Sequence, residues 1–416
     1  MSDRLLDSTA MHRPIVFFCM PDRGHFQRLR PLIRGLSDLS VPVQVFTHQH
    51  FRSEIEQAGG AFVDLFSKYP IDGADRESWP LPVRFVSFAA HYAEAISRDV
   101  RAVGPSLIVH DTFAVIGSVV SRALGLPHVN VCAGHAIVPE RFLAIMRELP
   151  IVKVASECHA AVETLRTRYG MHDSSPFSYL SELSGHLNVY CEPPEFLDEA
   201  DRAVFEPIAF YGSLHPDDRV TDASLEKSPF ADAPDESLRI YISFGTNIWD
   251  YRKSDALAAM LTLIDTLERD DHARAVISLG GTDIDRNTRS LLTRSNVAVE
   301  DYVDQWSVLR EADVFVTHHG LNSTHEAVFQ RVPMVSYPFI WDQPALARKC
   351  QELGFATSLA DTPMAKISTE DVLRAMSWIR QNRRPIASAI AAARGWEEAV
   401  MATRPAVHRR ILDLCE

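Results

Sequence analysis

Twice along this chain, short runs of β-branched and aromatic residues alternate with stretches of helical apolar spacing, and this alternation narrows the fold more than any other feature. In the first half, strand-like runs at 15–20, 43–47, 61–65, 107–110 and 128–131 are separated by helix-like segments at 26–40, 51–58, 83–103 and 113–124. Strand, helix, strand in succession dictates crossover connections and a mostly parallel sheet. After 205–213 the pattern breaks at 215–237, where Pro216, Pro229 and Pro234 sit among Asp, Ser and Lys with no apolar period, as in a linker. It then resumes, with strands at 239–244, 275–279, 297–301, 314–317 and 333–337 and helices at 254–269, 322–330 and 343–353.

The expected architecture is α/β, with two doubly wound domains facing across a cleft. The first is 1–214, the linker 215–237 and the second 238–385, and a helical tail, 386–416, packs back on the first domain. That tail ends in His408, Arg409 and Arg410, which suits a helix C-terminus. Ligands of such sheets bind at the carboxyl ends of the strands, so function belongs in the cleft.

The 416 residues suffice for two such domains, and 46% apolar with 23% charged residues is the balance of a soluble globular protein. The 42 Lys and Arg against 55 Asp and Glu leave a net charge of −13, which repels nucleic acid and anionic lipid. An acidic total still permits one anionic ligand, held by backbone amides at a helix N-terminus. No apolar run approaches the ~18 residues of a membrane span, and 15–20 after Asp3, Arg4 and Asp7 is too short and wrongly flanked for a signal peptide. Six scattered cysteines form no CxxC pair, and no His cluster has metal-ligand spacing. Reduced thiols and a cytoplasmic location are expected.

The most informative segment is Thr317-His318-His319-Gly320-Leu321-Asn322-Ser323-Thr324-His325-Glu326. A strand ends, a Gly permits a tight turn, and a helix begins among good capping side chains. The segment reads either as a well-capped helix or as a phosphate cradle built on unpaired first-turn N–H groups. Tyr302-Val303-Asp304-Gln305 precedes it, and Pro338-Phe339-Ile340-Trp341-Asp342-Gln343 follows the next strand. Two further segments end strands of their sheets: Pro21-Asp22-Arg23-Gly24-His25, and Leu107-Ile108-Val109-His110-Asp111. Read alone, His25 is a helix-start or surface residue as readily as a base, and Asp111 an N-cap of the helix that follows. His110 points to the opposite side by strand alternation.

From Tyr302 to Gln343 the sequence resembles the family 1, GT-B-type UDP-sugar glycosyltransferases, which include plant natural-product and bacterial macrolide enzymes. The resemblance implies two Rossmann-like domains and roles for particular residues. His318 would contact the donor diphosphate, and Gly320, Asn322 and Ser323 would form the phosphate-binding turn. Glu326 would take the ribose hydroxyls, and Asp342 and Gln343 the hydroxyls of the transferred sugar. Tyr302 stands where the family usually has a Trp on the uracil, with Gln305 beside it. Ser243-Phe244-Gly245-Thr246 matches a donor loop, although a plain strand-to-loop turn fits it equally. Gly24-His25 matches the loop of the general base, and Asp111 its supporting carboxylate. Departures are Tyr302 for Trp, Asp304 for Pro, His319 for a small residue, and Gln27-Arg28 for Asn-Pro; Trp306 is expected to be a core or surface aromatic.

The expected activity is inverting transfer of a hexose, which Gln343 weakly favours as glucose, from a UDP- or dTDP-sugar to a hydroxyl of a small, largely apolar acceptor. The nucleotide sugar is a co-substrate; no cofactor and no metal are implied. Asp283-Ile284-Asp285 has the metal-binding Asp-x-Asp form but reads as a solvated loop. His48, His50 and His135 end strands as acceptor-side or solvated residues. Phe66, Trp79, Phe85, Phe88 and Phe142 suit either an aromatic acceptor pocket or a core. Rival readings are a non-catalytic nucleotide-sugar-binding protein, which would not need His25 and Asp111, and a sugar-nucleotide 2-epimerase, which would need no acceptor.

Overall fold

A computed structural model describes residues 13–136, 138–149, 151–213, 229–234 and 236–416. The first sheet holds β1 (Ile15–Phe18), β2 (Val43–Thr47), β3 (Ala61–Asp64), β4 (Leu107–Asp111), β5 (His128–Cys132), β6 (Leu187–Tyr190) and β7 (Ile208–Phe210). The second holds β8 (Leu238–Ser243), β9 (Ala273–Ser278), β10 (Val297–Glu300), β11 (Val314–Thr317), β12 (Met334–Ser336) and β13 (Ala356–Ser358). Every pairing is parallel, and the orders are β3-β2-β1-β4-β5-β6-β7 and β10-β9-β8-β11-β12-β13. Central strands such as Ile-Val-Phe-Phe of β1 are buried throughout, as a sheet covered on both faces requires. Alternate residues serve opposite sides: Val16 and Phe18 join one core cluster, Ile15 and Phe17 the other.

In each sheet the strand order reverses once, between β1 and β4 and between β8 and β11. Crossovers leave to opposite faces there, opening a crevice at the strands' carboxyl ends. Among the helices are α1 (Arg23–Asp38), α2 (Val115–Leu124), α3 (Gln305–Leu309), α4 (Leu321–Gln330) and α5 (Gln343–Glu352), with α6 (Arg383–Ala402) and α7 (Arg404–Asp413) forming the tail. The two crevices share one cleft of about 390 Å³, lined by residues of both sheets' loops.

Several elements differ from the sequence expectation. The first strand stops at Phe18, because Asp22 caps a helix that starts at Arg23 and accepts from the His25 N–H. Strands β6, β7 and β13 are three or four residues long, too short to announce themselves by period. Most of the 215–237 segment lies outside the described residues, while Phe230 and Ala233 pack on the second domain's core. The tail is two helices: Ile386, Ile390 and Ala393 of α6 join the second core, and Val407 and Ile411 of α7 join the first. Among the described residues no helix is long and apolar enough to cross a membrane.

Candidate functional site

The front wall of the cleft is built at the β1/β4 reversal. Register brings Phe18 beside His110, so the chain leaving β1 turns directly over the end of β4. His25 is not on a loop, as its sequence suggested; it occupies the third position of α1, and Gly24 the second, with helical rather than left-handed backbone. From there the His25 Nδ1 meets the Asp111 Oδ1 at 3.0 Å. Asp111 is fully buried and is not the N-cap of the next helix, which starts at Val115 after Ala114. Its Oδ1 also accepts from the Phe113 N–H at 2.7 Å and its Oδ2 from the Met20 N–H at 3.1 Å. Three donors fix the carboxylate, the carboxylate fixes the Nδ1–H tautomer, and the Nε2 lone pair is left for chemistry. The ring stacks on Phe113 with centroids 3.8 Å apart. Burial pulls the His25 pKa down, but the Asp111 hydrogen bond and the charges of Asp22, Asp111 and Asp342 outweigh it and hold it above the ordinary value.

The rear wall is built at the β8/β11 reversal. Helix α4 starts at Leu321, one residue earlier than expected, so Asn322 and Ser323 lie inside its first turn and do not cap it. Gly320 is the N-cap and offers no side chain. The first-turn N–H groups therefore face the cleft without a side-chain cap, the arrangement that attracts phosphate. The His318 ring fills the space that side chains would need at two glycines: a Cβ on Gly245 would lie 2.7 Å from its Nε2, and one on Gly320 2.4 Å. Burial pushes His318 down to about 4, so at neutral pH it is an uncharged imidazole. Gln305 Nε2 donates to Ser323 Oγ at 3.1 Å and to Glu326 Oε2 at 2.8 Å, fixing both. Tyr302, 71% exposed, presents a free ring at the rim.

Between the walls, Gln343 Oε1 accepts from the Phe339 and Ile340 N–H groups at 3.0 and 3.2 Å, which leaves its amide nitrogen as the free end. Asp342 accepts from the His135 N–H of the first domain at 2.9 Å. Thus His25, Gly24, Thr246, Tyr302, Gln305, His318, Gly320, Asn322, Ser323, Glu326, Asp342 and Gln343 all line one cleft, with Asp111 directly behind His25. Sequence reading missed Asp22, Phe113, Tyr241 and Asn247, which line it too. Asp22, three residues before His25, carried a capping signal, whereas Phe113 and Tyr241 read as ordinary apolar residues. Of the suggested acceptor aromatics only Phe142 lines the cleft, whereas Phe85 and Phe88 are core.

Other residues are accounted for structurally. His319 is fully buried between Thr324 Oγ1 at 3.1 Å and Ser336 Oγ at 2.7 Å, and burial drives it down to about 3, so it braces the turn from behind. Asp304 caps α3 by accepting from the Ser307 N–H, which explains an Asp there. Trp306 packs on Phe329. Asp285 caps a helix outside the cleft, and His48 caps a short turn whose His50 ring lies 3.8 Å from its own.

Residues 213–384 match the family described as "UDP-glucoronosyl and UDP-glucosyl transferase". An uncharacterized UDP-glucosyltransferase, YdhE, of Bacillus subtilis is 24% identical over 375 residues, spanning 87% of this chain and 90% of that protein. An NDP-glycosyltransferase, YjiC, of the same organism is 24% identical over 367 residues, spanning 86% and 87%. The structure of the glycotransferase of kitacinnamycin superposes with a TM-score of 0.71 at 18% identity, over 96% of this chain and 99% of that one. The chain is a glycosyltransferase of the GT-B fold that uses a nucleotide-sugar donor, and its second half carries the UDP-glycosyltransferase domain.

Proposed function

We propose that this glycosyltransferase moves a hexose, glucose by preference, from a UDP-sugar to a hydroxyl of a small, largely apolar acceptor, with inversion. Residues 1–214 hold the acceptor and 238–385 the donor. The observation that carries the reading is the His25–Asp111 pair, 3.0 Å apart, on the wall opposite the uncapped N-terminus of α4.

In this reading His25 Nε2 takes the proton of the acceptor hydroxyl, that oxygen bonds to the anomeric carbon, and the bond from that carbon to the diphosphate oxygen breaks with its electron pair. Asp111 steadies the imidazolium. The charge that grows on the departing diphosphate meets the α4 amides, His318 and Ser323, which makes a metal unnecessary. Glu326 takes the ribose, Tyr302 stacks on the base, and Asp342 with Gln343 hold the sugar. The word glucosyltransferase in the Bacillus relative's name supports glucose. Phe113, Phe142, Tyr179 and Trp341 on the cleft wall support an apolar or aromatic acceptor. A cytoplasmic location is part of the same proposal.

Thermal stabilisation by UDP-glucose and dTDP-glucose, followed by mass spectrometry of an acceptor panel for a hexose increment, tests the reading. Acceptor-dependent product is expected, undiminished by a chelator. Donor conversion without acceptor, binding without turnover, or strict dependence on Mn²⁺ would refute it.

A further inference from the structure

Behind the cleft, four ionisable side chains from four separate elements lie end to end in the interior. His135 follows β5, Glu192 follows β6, His325 is on α4 and Glu397 is on α6, and none is more than 3% exposed. Glu192 Oε2 meets the His135 Nδ1 at 2.8 Å, and its Oε1 meets the His325 Nε2 at 2.9 Å. The other nitrogen of His325 pairs with Glu397, whose Oε2 accepts from the Ser213 N–H at 3.1 Å and Oγ–H at 2.8 Å. The chain of contacts runs from the first domain into the second and on to the tail.

Burying so many charges is a poor way to gain stability, since apolar groups of equal volume do as well or better. Its physical advantage is direction: each hydrogen bond fixes an orientation. Two members of this chain adjoin the donor site. The main-chain N–H of His135 is the group that holds Asp342 Oδ2, and His325 lies in the helix whose first turn faces the cleft. Burial lowers the His325 pKa, but the Glu397 charge and the hydrogen bonds to Glu192 and Glu397 raise it to about 9, so it is the cation that the two carboxylates require.

We propose that His135 is a positioning residue for the donor sugar: held through Glu192 to His325, it presents its N–H to Asp342 across the cleft, so that sugar hydroxyls are read only by the assembled pair of domains. This rests on the reading of Asp342 as the sugar-binding carboxylate. Nucleotide and diphosphate contacts, which come from the second domain alone, do not depend on it.

Calorimetric titration of the full chain with UDP and with UDP-glucose separates these contributions. In His135→Ala the Glu192 Oε2 loses its His135 partner, with His325 still on Oε1, and the loop loses its tether. The preference for UDP-glucose over UDP should fall about tenfold, the effect of a lost charge-assisted hydrogen bond, with UDP affinity within about twofold of wild type. His135→Asn, whose amide nitrogen replaces Nδ1 as donor, should restore the preference. Equal weakening of both ligands, as from a merely structural role, overturns the inference, as does an unchanged preference. If His135→Ala does not fold, Asp342→Ala gives the same answer from the other side, since amide exchange at His135 should quicken about tenfold and unchanged exchange refutes the contact. Wild-type protein that binds neither ligand would end the donor reading and this inference together; normal UDP-glucose binding with an unmoved preference ends this inference alone.

Discussion

Replacing Asp111 by Asn changes one atom and tests the catalytic assignment from two directions. The carboxylate accepts from three donors, His25 Nδ1 and the Phe113 N–H on Oδ1 and the Met20 N–H on Oδ2. An amide has one oxygen, which keeps most bonds on the Oδ1 side. Its NH₂ then faces the Met20 N–H, a buried clash of donors costing about 1–3 kcal/mol of stability. His25 keeps an acceptor and its tautomer, but the imidazolium formed during proton transfer loses its countercharge. Turnover should fall by ~10²–10⁴, the usual contribution of a positioned base. Burial lowers the His25 pKa and Asp111 is the strongest of the groups raising it, so in the variant that pKa drops. A base must be neutral to act; the acid limb of the kcat/KM profile therefore moves to lower pH even as the plateau falls. UDP-glucose affinity, measured by titration, should stay within about threefold, since the lost hydrogen bond and charge lie on the front wall, outside the donor wall. A turnover loss under tenfold, or an acid limb that stays in place or moves up, would show that Asp111 does not support His25.

The remaining expectations concern the donor wall and the interior charges. Gly320→Ala puts a methyl 2.4 Å from the His318 Nε2 without backbone strain at that φ of −62°, so the ring must move and donor KM should rise about tenfold or more; an unchanged KM would detach His318 from the donor. Glu326→Ala should mainly raise the apparent donor KM, and a purely kcat defect in steady-state kinetics would count against a ribose role. His325, raised to about 9 from 6.5 between Glu192 and Glu397, gives stability that is fully present below pH 6.5 and lost as pH rises through about 9. Denaturation midpoints should fall across that window, and His325→Gln should flatten the fall.

Much of this was legible before any coordinates. The alternation that placed β1, β4, β8 and β11 also placed their carboxyl ends, and the motif residues lie there because reversals of strand order put them there. Local geometry was not. That Asp22 and not a loop positions His25, and that Gly320 begins α4 with no side chain to occupy its amides, depends on one residue of helix phase, below what periodicity resolves. The Glu192 to Glu397 contacts were invisible for a different reason. Each group is isolated in sequence, up to 133 positions from the group it pairs with, and only tertiary packing makes a cluster of them. His135, read as a strand-end residue with an acceptor-side or solvated role, belongs to that cluster.

The two-part tail has a practical meaning for anyone recombining relatives of this chain. Helix α7 is stitched to the first domain by the Tyr211–His408 bond at 2.8 Å and by Arg404 donating to the Ser213 carbonyl at 2.6 Å, and the His408 ring occupies the place of a side chain at Gly35, whereas α6 is rooted in the second. A chimera joined at a single point between the domains therefore inherits a mismatched clasp. Grafting a foreign acceptor half requires a second junction near Thr403, so that the last helix travels with the half it grips.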